Sequence, residues 1–227
     1  MPVTINGDGS ITGLSVGGLP NGTVDADTLA SNAVTTVKIA NDAVATAKIA
    51  NNAVTSAKST GLQRRISTGP IALAGESSVS HTVTTGVKKI EILVQDSSSN
   101  SNSNMKLQIG DAGGLETSGY GYASGLHRGS STGREGTVTN FTDSFQTYGL
   151  DATSYNIYGT WKLWNPNSNT NTWVGEHIFW GDDATNHQFY GNGYKNLSAT
   201  ITTVTIAPLG GVFSDGNITI VETMGDT

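Results

Sequence analysis

The chain has 227 residues, a formal net charge of −6, no cysteine, and only 13% Asp, Glu, Lys and Arg. The acidic balance and the lack of a basic block argue against nucleic acid and anionic membrane surfaces as partners. The missing thiols exclude disulfides and thiolate metal sites, and no apolar run reaches the roughly eighteen residues that would call for a membrane-crossing helix. The abundance of Gly, Ser, Thr and Asn favours strands joined by turns over helices.

Residues 1–20 read as an extended lead-in. Val3 and Ile5 precede the turn cluster Asn6-Gly7-Asp8-Gly9, and Ile11 follows. Asn-Gly and Asp-Gly are strong hairpin signals, so a small β-rich collar is expected. The start, MPVTINGDGS, lacks the basic and apolar regions of a signal peptide, which fits synthesis in the cytoplasm. Gly13-Leu14-Ser15-Val16-Gly17 matches the G-x-S-x-G nucleophile elbow by letters. The following Gly18, Leu19 and Pro20 cannot open the helix that elbow requires, so no catalytic residue is assigned.

Residues 21–60 are four copies of a ten-residue unit: NGTVDADTLA, SNAVTTVKIA, NDAVATAKIA and NNAVTSAKST. One column holds Val24, Val34, Val44 and Val54. A second holds Leu29, Ile39 and Ile49, and ends at Ser59. Large apolar residues thus recur about every five positions. A helix would swing by roughly 140° over that interval, and a strand would place them on opposite faces. Some bend or single helical turn must reset the phase in every unit. The Asn and Asp at the unit starts suit a bend, and Thr36, Thr46 and Ser56 suit the cap of a brief turn.

Ordering one residue costs about 1–2 kcal/mol of backbone entropy, while burying one large apolar side chain returns about 1.5–3 kcal/mol. With one such side chain per about five residues, a single copy cannot hold itself in order. Either the segment is disordered or partner chains supply the missing walls. The strict register and the small Ala33, Ala43 and Ala53 favour a narrow multi-chain stalk, with both apolar columns along its axis.

The pattern VTTVKIANDAVATAKIANNAVTSAK resembles the repeats of bacteriophage tail fibre proteins, and TINGDGSITGLSVGGLPNGTVDADTLA resembles the lead-in found there. The resemblance covers roughly the first sixty residues. It implies an intertwined homotrimeric fibre carried on a virion, with residues 1–20 proximal to the particle and attached to other tail or baseplate proteins. The trimer number comes from the resemblance; the spacing requires only more than one chain.

Residues 61–75 (GLQRRISTGPIALAG) read as a solvated linker, in which Arg64 and Arg65 can form a junction salt bridge. From 76 to 227 the pattern is β. Val79, His81 and Val83 align; so do Ile90, Ile92 and Val94, and then Met105, Leu107 and Ile109. Between the last two sets, Asp96 to Asn104 reads as a loop. Tyr155, Ile157, Trp161 and Leu163 share one face, opposite Tyr158 and Trp164. Val174, Ile178 and Trp180 share another, opposite Trp173, His177 and Phe179. Leu197–Pro208 and Gly216–Met224 complete the set. Short alternating strands with Gly-rich turns predict an all-β fold: an antiparallel, jelly-roll-like β-sandwich on the repeat stalk. The block KKIEILVQDSSSNSNSNMKLQIGDAGGLETSGYGYASG resembles tip domains attached to phage fibre stalks. The matching positions are Gly110, Asp111, Gly113, Gly114, Glu116, Thr117, Ser118, Gly119 and Tyr120.

All four tryptophans fall between residues 161 and 180. Aromatic faces beside polar groups suit sugar rings, whose C–H groups pack on a π-face while their hydroxyls need partners. Trp161 and Trp180 share faces with Ile and Leu and read as core. Trp164 and Trp173 flank the loop Asn165–Thr172 and stay open between core and surface. A glycan site rests chiefly on those two, with Asn167, Asn169 and Tyr158. His81, His127, His177 and His187 show no metal-ligand spacing, and no cofactor is expected. Glycan hydrolysis would need two carboxyls about 5–10 Å apart. Asp111, Glu116, Asp151, Glu176, Asp182 and Asp183 are available, but the Gly-Asp pairs fit turns equally well. The expected function is that of a virion tail fibre binding a host surface polysaccharide. A structural fibre or baseplate accessory is the alternative, and a glycan-degrading spike the less favoured one.

Overall fold

The computed structural model describes residues 4–7, 11–12, 29–31, 33–35, 39–40, 43–45, 48–50, 65–101, 104–128, 136–148, 156–167, 169–182 and 187–225. The chain divides into two units, Met1–Val54 and Thr55–Thr227.

In the first unit, β1 (Thr4–Ile5) pairs antiparallel with β2 (Ile11–Thr12), with Ile5 opposite Ile11. This is the hairpin that the Asn-Gly and Asp-Gly signals call for. In the repeat, the Ala33 N–H donates to the Ala30 carbonyl at 2.9 Å, and the Ala43 N–H to the Ala40 carbonyl at 3.1 Å. Turns ten residues apart therefore cross successive unit boundaries. A further turn closes from the Lys48 N–H to the Ala45 carbonyl at 2.8 Å. These are the phase resets that the five-residue spacing demands. Leu29, Val34, Ile39, Val44 and Ile49 are all between 41% and 55% exposed. Val24, Val54, Thr36, Thr46, Ser56 and the segment Gly13–Gly17 lie outside the described residues.

The second unit is built from two antiparallel sheets. Its strands are β3 (Arg65–Ala72), β4 (Val79–Thr82), β5 (Val87–Ser99), β6 (Met105–Asp111), β7 (Gly114–Leu115), β8 (Tyr120–Arg128), β9 (Gly136–Phe141), β10 (Phe145–Gln146), β11 (Ile157–Trp164), β12 (Thr172–Gly181), β13 (His187–Asn196), β14 (Thr203–Pro208) and β15 (Phe213–Met224). The eight-stranded sheet has the order β3-β15-β5-β11-β12-β13-β8-β9. The five-stranded sheet has the order β10-β6-β14-β4, with β7 also paired to β6. Ile90, Ile92, Trp161, Phe179 and Ile218 of the first sheet join Leu107, Ile109, Val204 and Ile206 of the second in one buried cluster. Strand alternation explains this, because each sheet turns every second side chain towards the other.

Two sequence readings need correction. Residues 65–72 are not linker but an edge strand, paired with β15. There Pro70, which has no N–H to donate, is tolerated because β3 is the terminal strand of the sheet among the described residues. Arg65 does form an ion pair, with Glu91 at 3.3 Å, and both groups are partly exposed. Asp96 to Ser99 are not loop but the last third of β5. Ser97 and Ser99 are buried at 0% and 3% exposure, so small polar residues continue the inward row. Asp96 sits at φ 55° beside a pairing irregularity, a conformation that Asp tolerates better than most residues.

The block around Gly110–Tyr120 latches the two sheets together. A side chain at Gly110 would put its Cβ 2.4 Å from the Gly114 carbonyl oxygen, so β7 folds back only over glycine. The buried Asp111 carboxylate accepts from Ser198 Oγ at 2.7 Å, from the Gly113 N–H at 2.8 Å and from the Ala199 N–H at 2.9 Å. The Tyr120 hydroxyl accepts the Ile109 N–H at 2.9 Å and is within 3.2 Å of the Glu116 carbonyl. Lys195, only 5% exposed, donates to Glu116 Oε2 at 2.9 Å and lies over the Tyr120 ring. The residues that carry the resemblance to fibre tips thus hold β6, β8 and β13 in place.

Candidate functional site

The five-stranded sheet shares its core with one face of the eight-stranded sheet. The opposite face is exposed, and its composition is unusual. Register places Tyr158 of β11 opposite Trp180 of β12, and Thr160 between Leu93 of β5 and Ile178 of β12. Trp180 is 52% exposed and Ile178 54%, with Tyr158 and Leu93 at 40% each. Four large apolar side chains at neighbouring cross-strand positions make a continuous patch of the kind that marks a binding surface.

A polar rim borders the patch. Asp96 Oδ1 accepts from the Tyr158 hydroxyl at 2.7 Å and from Asn156 Nδ2 at 2.6 Å. Asp182 Oδ1 accepts the Asn156 N–H at 2.9 Å. Donation to the Asp96 carboxylate pushes the Tyr158 hydroxyl up to about 12, so it stays a neutral donor at physiological pH. Further along the face, Lys162 and Glu176 pair at 3.6 Å, as do Lys89 and Glu91 at 2.9 Å. Beyond that charged row lie Trp164, Val174 and Tyr194, side by side on β11, β12 and β13.

The predicted glycan residues are not brought together. Trp173 is 2% exposed and belongs to the core, on the same face of β12 as His177 and Phe179. Trp180, read from sequence as core, is the exposed one. Alternation sorted the β12 residues into the right two sets, but both sets are rich in large apolar groups, and period two does not say which is inward. Trp164 is half-buried on the exposed face. It lies six positions along β11 from Tyr158, or about 20 Å. Asn167 and Asn169 are exposed, but the loop's amide oxygens serve the loop itself. Asn165 Oδ1 accepts the Asn167 N–H and Asn167 Oδ1 the Asn169 N–H, each at 3.0 Å. Of the predicted set, Tyr158 alone sits in the apolar patch. The residues that sequence reasoning missed are Ile178 and Trp180, whose shared face was visible, and Leu93, opposite in parity to Ile92 and Val94.

The candidate acids are separately occupied. Asp111 is held below the ordinary carboxylate range, first by the Ser198 hydroxyl and then by the Gly113 N–H. Glu116 is tied to Lys195, Glu176 to Lys162, and Asp182 to Asn156. Asp151, Asp183 and Tyr155 lie outside the described residues. Among the described residues no group of three His, Asp or Glu is placed to hold a metal ion, and no helix is long and apolar enough to cross a membrane. His177 is buried, bonded through Nδ1 to the Tyr122 hydroxyl, and stacked on Phe179. Burial pulls it down to about 3, so it is a neutral core residue. No protein-family model, curated protein or solved structure matches the chain.

Proposed function

We propose that the chain is a bacteriophage tail fibre whose carboxy-terminal unit binds a host surface polysaccharide. The observation that carries the binding reading is the exposed patch of Tyr158, Ile178 and Trp180 beside the Asp96, Asn156 and Asp182 rim. An indole and a phenol supply faces for sugar C–H groups, and the carboxylates accept from sugar hydroxyls. The fibre reading draws on the decapeptide resemblance. It draws also on the exposure of Leu29, Val34, Ile39, Val44 and Ile49, which an intertwined homotrimer would cover. In this reading the two sheets form a jelly-roll-like β-sandwich tip. Residues 1–20 join other tail or baseplate proteins, the product resides in the virion, and it engages neither nucleic acid nor the membrane interior. Function is binding rather than catalysis, without a cofactor. Three weak sites per fibre gain by avidity what each lacks alone.

The test is adsorption of the purified protein to susceptible and resistant host cells. Trp180→Ala should lose cell binding while leaving mass and thermal midpoint unchanged, because the ring is half exposed. Binding to both cell types alike, or full binding by Trp180→Ala and Tyr158→Ala, would overturn the assignment.

A further inference from the structure

On the same face, six positions along β13 from the Trp180 neighbour Gln188, lies a second feature. The outward positions of β8 there are Gly121 and Ala123, flanked by Tyr194 and Asn192 of β13 on one side and by Asn140 and Thr142 on the other. The missing side chains leave an open trough of about 370 Å³, within the size range of small-ligand sites. Tyr194, half exposed, leans across its end. A Cβ on Gly121 would lie 2.8 Å from the Tyr194 ring, so only glycine lets the phenol lie down over the strand.

The lining selects the ligand. None of its residues carries a charge, so it offers no counter-charge to offset the desolvation of a carboxylate, phosphate or ammonium group. β8, the floor of the trough, is hydrogen-bonded to β13 and β9 on its two sides, so the floor itself presents no backbone edge to an extended peptide. What remains is one aromatic face, two exposed amides and one exposed hydroxyl around a floor of backbone. That combination suits a ring with an apolar C–H face and several hydroxyls. We propose that the trough is a second saccharide subsite, specific for uncharged sugar residues. The ring stacks on Tyr194, and its hydroxyls bond to Asn140, Asn192 and Thr142. The subsite adds to the polysaccharide reading above and rests on it only for the biological source of the sugar.

Ligand-observed NMR saturation transfer on the full chain tests this. The probes are maltotriose, cellotriose and β-1,4-galactotriose, against trigalacturonate and trisialic acid. At least one neutral trisaccharide should receive transfer at millimolar concentration. Tyr194→Ala, and Ala123→Phe, which fills the trough from an outward position, should each weaken it at least about tenfold, while Trp180→Ala keeps it. Unchanged folding of the variants is read from the thermal midpoint. No transfer to any neutral probe, transfer to the acidic probes alone, or transfer undiminished by Ala123→Phe would each overturn the proposal. The two readings fail separately. If host cells bind the wild type while no neutral probe receives transfer, the subsite falls and the fibre reading stands. If host cells do not bind the wild type while the neutral sugar binds the trough, the reverse holds.

Discussion

Tyr120→Phe isolates the latch between the sheets. The ring is 3% exposed, and its hydroxyl takes the N–H of Ile109, a residue with no exposed surface. Here the phenol fills a gap between strands: β10 pairs with β6 as far as Leu107, and β7 pairs with it from Gly110. Phenylalanine keeps the packing and the edge-on contact with Phe145, whose ring centroid is 5.0 Å away, but leaves a buried donor without a partner. An orphaned backbone group of this kind costs about 1–3 kcal/mol. A unit of this size loses roughly 2–4 °C per kcal/mol, so the midpoint should fall by about 2–12 °C. Urea unfolding of the full chain at one fixed protein concentration should show a lower midpoint at unchanged slope. Tyr194→Phe, at a half-exposed ring, is the control and should stay within about 0.5 kcal/mol. If Tyr120→Phe also stays within that margin, the Gly110–Tyr120 block does not lock the sheets as argued.

Three further outcomes follow from the same structure. His177 is neutral in the fold down to about pH 3, against an ordinary value near 6.5. The unfolded chain therefore binds the extra proton first, and the stability present above pH 6.5 is lost as pH falls towards 3. His177→Phe should flatten that slope between pH 6.5 and 4 in urea titrations, whatever it does to the midpoint at neutral pH. Burial raises both Tyr120 and Tyr122 above the ordinary value near 10. Their contribution is intact below pH 10 and declines as pH rises past it, so the midpoint should hold to about pH 9.5 and then drop. Val34→Asp with Val44→Asp should dissociate the proposed homotrimer while leaving the circular dichroism of the carboxy-terminal unit unchanged. Retained assembly would remove the two columns from the interface.

Alternation alone placed Ile90, Ile92, Val94, Met105, Leu107 and Ile109, because their opposite faces are polar enough to leave one choice. It failed where that contrast vanished. In β12 both faces are large and apolar, and the inward one contains a histidine, so the sequence reads Trp180 as core though it lies outward, and leaves Trp173 open though it is buried. Arg65–Ala72 hid behind Gly69 and Pro70, residues that mark turns in most contexts but sit acceptably in an edge strand. β8 and β13 are punctuated by Gly121, Gly125, Gly191 and Gly193, and no apolar alternation in the sequence marks them as strands. In the sheet Gly121 makes room for the Tyr194 ring, Gly191 for His177 and Tyr122, and Gly193 for Tyr122. The exposed patch depends on register across β5, β11 and β12, which no single strand encodes.

The proposed fibre requires that the ten-residue period be a packing code between identical chains. Sedimentation equilibrium or light scattering of the full chain measures that without reference to any host. With a chain mass of 23.5 kDa, the particle should weigh three chains and drop to one chain in the Val34→Asp, Val44→Asp variant. A wild-type particle of one chain at every concentration would contradict it.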